Sequence, residues 1–162
     1  MSARSGYSAL QIGLHWLIAI LIFAAYVTSD GMGRALRDRI ESGASGTEGN
    51  TIHVWLGGAV FALVLVRIVV RAMQGAPALS EAGPAQLKTA AVWGHRLIYL
   101  LMIAVPTLGA TAWYLGVKPA GEVHELAGNA FMLIVFGHAI MAIVHEAWLG
   151  DGTFQRMIRP GR

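Results

Sequence analysis

The chain contains no cysteine. Disulfides, iron–sulfur clusters and zinc–thiolate sites are therefore excluded, and so is covalent attachment of haem through C-x-x-C-H. Charge is also scarce. Asp, Glu, Lys and Arg make up 13% of 162 residues, about half the share of a soluble domain. No repeat, low-complexity tract or long linker interrupts the chain. The net charge is +3, but the basic residues sit at the ends of apolar runs and form no basic face interleaved with aromatics. That distribution argues against nucleic acid as a partner.

What fills the chain is apolar sequence, with 56% hydrophobic residues. A bilayer-spanning helix needs roughly 20 predominantly apolar residues. Four runs meet that length, at residues 9–28, 52–70, 91–114 and 123–149. They predict an all-α fold, a transmembrane four-helix bundle forming a single membrane domain over residues 1–162. The first run follows Arg4 as a signal peptide would, but His15 and Trp16 are out of place in a signal core, so a retained helix is expected. Residues 41–50, rich in Gly and Ser, read as a flexible loop.

Lys and Arg near the span ends set the expected orientation. Arg4, Arg67, Arg71, Lys88, Arg96, Arg156, Arg159 and Arg162 fall on the side of the termini, against Arg34, Arg37, Arg39 and Lys118 opposite. Both termini are expected in the cytoplasm, with the protein multi-pass in a bacterial inner membrane. Pro106 should kink the third span. Gly57 and Gly58 in the second either admit a bulky planar ligand or serve ordinary close helix packing. The five tryptophans lie near span ends, as in an interfacial belt.

Six histidines stand in or beside these spans: His15, His53, His95, His124, His138 and His145. Ionisable groups there are costly and read first as functional. His124 and His138 are 14 residues apart, which is ~21 Å along a helix and only ~40° in direction. They share one face, near opposite sides of a core ~30 Å thick. Two haems stacked across a bilayer need such a spacing. Matching depths suggest the pairs His53 with His124 on the outer side and His15 with His138 on the inner side, the outer match being closer. His95 and His145, near the cytoplasmic surface, could each replace an inner ligand. Otherwise they could serve a quinone, exchanging protons near neutral pH, or simply meet water and headgroups. Arg67 and Arg71, one turn apart, could pair with haem propionates or act as snorkelling anchors.

The motifs Gln11-Ile12-Gly13-Leu14-His15-Trp16, Ile52-His53-Val54 and Gly94-His95-Arg96-Leu97-Ile98-Tyr99 carry a resemblance. So do His124-Glu125, Ala127-Gly128-Asn129, Gly137-His138, His145 and the tail Gly152-Thr153-Phe154-Gln155-Arg156-Met157. Together they resemble the prokaryotic cytochrome b-561 family of four-helix di-haem membrane proteins. The resemblance implies two haem b with His15, His53, His124 and His138 as axial iron ligands, and electron transfer linked to ubiquinone. It also places His145 near the quinone, as a candidate proton donor. One branch of the family resembles a superoxide:ubiquinone oxidoreductase, with superoxide donating at the outer haem. Arg34, Arg37, Arg39 and Lys118 could then concentrate that anion. Two other readings stay open: an anchor subunit taking electrons from a periplasmic dehydrogenase or c-type cytochrome, and a haem-free His-lined transporter. Few carboxylates in the spans and no inverted repeat count against the last.

Overall fold

The computed structural model describes residues 6–77 and 84–161. Arg4 and Arg162, two of the residues used for orientation, lie outside them. Helix α1, Ala9–Val27, begins at a capping box in which the Ser8 hydroxyl accepts from the Gln11 N–H and the Gln11 side chain accepts from the Ser8 N–H. Two first-turn donors are thereby satisfied. Helix α2, Met32–Ser42, lies between Gly31 and Gly43, both with positive φ. Helix α3, Ile52–Gln74, is capped by the Thr51 side chain. Helix α4, Ala85–Leu115, contains Pro106 and stops at Gly116, again with positive φ. Helix α5, Lys118–Val144, has Pro in its first turn and runs into a π-helical turn, His145–Leu149.

Among the described residues all regular structure is helical, and α1, α3, α4 and α5 are long and apolar enough to cross a membrane. α1 packs on α3, α4 on α5, and α3 joins the two pairs by packing on α4. The shared core is a mid-bundle cluster of Ile18, Val60, Val64, Met102 and Phe131. Leu100, Leu126, Leu133 and Ile140 point outward, as side chains facing hydrocarbon must. The Gly161 N–H donates to the Tyr7 carbonyl, so both ends of the described chain lie at one end of the bundle, the terminal end. The other is the cap end.

α2 is an element the apolar runs did not announce. It covers the cap end with Leu36, Arg39 and Ile40 facing inward and Arg34, Arg37, Asp38 and Glu41 exposed. Gly121 of α5 admits Leu36: a Cβ there would stand 3.1 Å from its methyl carbon. The expected loop over residues 41–50 is thus partly helix, and its remainder is tethered. Arg39 is buried and donates to the carbonyls of Trp113, Gly46 and Glu48, with its guanidinium 4.9 Å from the Trp113 ring centre. Asn50 accepts from the Trp113 indole and donates to the Tyr114 hydroxyl. Two expectations are corrected here. Arg39 is not a free surface cation, because its donors are committed to backbone carbonyls. Trp113 is not part of an interfacial belt, because it is buried under Arg39.

Candidate functional site

The histidines gather into two groups, one at each end. At the cap end His53 stands in the first turn of α3, placed by the Thr51 cap. Its Nδ1 lies 2.7 Å from the Ala25 carbonyl of α1. Ala25 is in the last turn of α1, where carbonyls lack intrahelical donors. His124 of α5 places Nδ1 2.8 Å from the Val105 carbonyl of α4. A carbonyl only accepts, so both Nδ1 atoms carry a proton, which in a neutral imidazole leaves the lone pair on Nε2. That is the tautomer a metal takes, oriented from behind by the backbone. The two ring centres are 5.9 Å apart.

Gly109 makes the His124 arrangement possible. A Cβ at this position would come within 2.9 Å of the His124 ring. Beside Gly57, Gly58 and Gly128 an added Cβ would meet nothing within 4 Å. Close helix packing therefore does not explain the Gly57–Gly58 pair; both glycines face open space.

At the terminal end His15 of α1 and His138 of α5 have ring centres 6.5 Å apart. His95 of α4 is nearer still to His138, at 5.1 Å. It is exposed and gives its Nδ1 to the Ala91 carbonyl of its own helix, at 2.6 Å. Metal–imidazole bonds of about 2 Å on either side of an iron put the ring centres a little over ~6 Å apart. The His53–His124 and His15–His138 separations suit that requirement, whereas His95–His138 is about 1 Å too short. Among the described residues no three His, Asp or Glu converge on a point that could hold a metal ion. Paired imidazoles of this kind suit an iron whose other positions are filled by a macrocycle.

His145 opens the π-helical turn and points Nδ1 at the Asp151 carboxylate, 2.9 Å away. π-turns are uncommon and recur at functional sites. Asp151 is shielded from solvent, and its other oxygen accepts from the Thr153 N–H at 2.9 Å. Burial pushes the Asp151 carboxyl up. The hydrogen bonds from Thr153 and His145, with the charge on His145, outweigh burial and bring it below its ordinary value. Asp151 was not singled out from sequence; its signal is an Asp two residues before Thr153, the pattern of an Asx turn.

The two arginines expected as a pair part company. Arg67 donates to the Gln11 carbonyl at 2.9 Å, while Gln11 donates onward to the Gly75 carbonyl at 2.8 Å. Arg67 thus clamps α1 to α3. Arg71 lies over the Tyr99 ring, 5.8 Å from its centre.

A family model described as prokaryotic cytochrome b561 matches residues 6–160. The chain is 40% identical to cytochrome b562 of Cereibacter sphaeroides, over 99% of both chains. It is 28% identical to the probable superoxide oxidase CybB of Yersinia pestis, over 94% of this chain and 95% of that protein. It is 25% identical to cytochrome b561 homolog 1 of Escherichia coli, over 94% and 96%. With four helices able to cross a membrane and histidines paired within them, the chain belongs to the prokaryotic cytochrome b561 family, whose work is membrane electron transfer through haem b.

Proposed function

We propose that the chain carries two haem b, one between His53 and His124 and one between His15 and His138. In this reading it passes electrons from superoxide at the cap end to ubiquinone at the terminal end. The observation that carries it is the pair of imidazole pairs, at 5.9 and 6.5 Å, at opposite ends of one bundle. Haem b, when bound, gives and takes single electrons. A haem held by an imidazole from each of two helices would favour electron transfer over oxygen binding. Two superoxide anions give up one electron each and leave as dioxygen. One quinone takes the two electrons and two protons and leaves as quinol.

The protein's own residues supply attraction and protons. Arg34, Arg37 and Lys118 are exposed at the cap end, where they raise the local concentration of a small anion. His145, backed by Asp151, is the proton donor to the quinone. The cap end faces the periplasm and the termini face the cytoplasm of a bacterial inner membrane, in line with the basic residues.

A dithionite difference spectrum with a haem count per chain tests the cofactor. Two haems per chain are expected; a protein without a b-type band ends the proposal. His53→Ala and His124→Ala should each remove the same haem, and His15→Ala and His138→Ala the other. Loss of different haems by His53→Ala and His124→Ala would refute the pairing. Quinone reduction by a superoxide source tests the donor. Its absence, with rapid reduction by a periplasmic dehydrogenase or c-type cytochrome, would assign the anchor role instead.

A further inference from the structure

At the terminal end a cavity of about 460 Å³ opens between α3, α4 and the residues just ahead of α1, with Tyr7, Arg71, His95, Arg96 and Tyr99 in its wall. Its size is that of a small-molecule site. Three features of the wall call for an anion. The Tyr99 hydroxyl is buried and has no hydrogen-bond partner among the described residues, a state that costs free energy until an acceptor or donor arrives. Arg71 is half-buried, stacks on the Tyr99 ring and makes no hydrogen bond or ion pair with any described residue. Arg96 stands at the same wall with its guanidinium over Trp93, 4.9 Å from the ring centre. A half-buried guanidinium and a buried hydroxyl, neither with a hydrogen-bond partner among the described residues, fit oxygen ligands of negative charge, carboxylate or phosphate.

The cavity also touches the histidine cluster. His95 lines it, and the His95 ring centre is 5.1 Å from that of His138. Resting on the assignment of a haem to His15 and His138, we infer that Arg71 and Tyr99, with Arg96 at the rim, bind the propionate carboxylates of that haem. Arg67, one of whose N–H groups is spent on the Gln11 carbonyl, is not in the wall of this cavity. A phospholipid phosphate carries the same chemistry. The propionate is the occupant inferred here because the cavity wall continues into the histidine group.

The test compares the protein carrying haem b with protein reconstituted with the dimethyl ester of the same iron porphyrin, which has no free carboxylate. Release of each haem to an apo-globin acceptor is followed spectroscopically, in detergent with and without anionic phospholipid. Arg71→Leu should speed release of the terminal-end haem about tenfold, the loss of one charge-assisted hydrogen bond. Tyr99→Phe, which removes only an oxygen, should speed it several-fold, and Arg71→Lys should restore part of the loss. Neither Arg71→Leu nor Tyr99→Phe should change release of the ester or of the cap-end haem. Equal acceleration with the ester, or acceleration of both haems, would overturn the inference, as would an effect seen only when phospholipid is present. Failure of His15→Ala to remove a haem would instead overturn the ligand assignment beneath it.

Discussion

The two ends of the bundle are built differently. At the cap end both imidazoles are fixed by carbonyls of neighbouring helices, His53 on Ala25 and His124 on Val105. A glycine seats one ring, and α2 packs over the same end of the bundle. At the terminal end His15 and His138 make no such backbone bond to any described residue, a third ring stands close to His138, and a cavity walled in part by Arg71 lies alongside. The cap end is thus organised by the polypeptide alone, in the sense that positioning groups remove freedom before a ligand arrives. The terminal end brings its rings together without such positioning bonds.

Substitutions can break this contrast, and the histidines give the largest effect. His53→Ala or His124→Ala should abolish the cap-end haem outright while the terminal-end haem persists. His15→Ala should abolish the other, and His95→Ala should leave both. A haem lost in His95→Ala, read by the same spectrum, would mean that the contest for His138 goes the other way. Next is Arg39→Met. It leaves the carbonyls of Trp113, Gly46 and Glu48 without their donor, at a cost of about 3 kcal/mol. Hydrogen exchange over residues 43–50 should rise, and the cap-end haem should be released sooner on heating.

Gly109→Ala comes third. The added carbon meets the His124 ring at 2.9 Å, and overpacking of this kind costs about 1–3 kcal/mol. The cap-end haem should bind more weakly and its low-spin signal should shift, with the terminal-end signal unchanged. The smallest effect belongs to Asp151. Its carboxyl lies below the ordinary value, so its stabilising contribution is full above the unfolded value of about 3.9 and is lost as pH falls through the folded one. Asp151→Asn should slow quinone reduction several-fold at neutral pH. Thermal stability of the variant and the parent should converge in acid below about pH 4.

Much of this was legible in the sequence, and the remainder was not for identifiable reasons. The spans were plain because bilayer thickness demands long apolar runs; the helices overrun the expected ends, as at Gln74 and Lys118, because backbone hydrogen bonding does not stop at the hydrocarbon edge. The 14-residue interval from His124 to His138 carried both ends of the bundle, because helix geometry converts spacing directly into depth. Helix α2 could have been found from Leu36 and Ile40, spaced i to i+4 between Gly31 and Gly43. The burial of Arg39 could not, because its acceptors lie on Gly46, Glu48 and the far end of α4. The carbonyls behind His53 and His124 were equally hidden. Any residue has a carbonyl, and only the register between helices decides which one an imidazole meets.

α5 contributes one ring to each histidine pair, and it is the last of the four spans to leave the ribosome. The first three spans therefore enter the bilayer with His15 and His53 unmatched, and neither pair exists until the fourth arrives. If the proposed pairs hold haem, cofactor loading at both ends belongs after translation has passed His138. A chain released after Leu115 would still have three apolar spans to insert, and it would reach the membrane with neither pair.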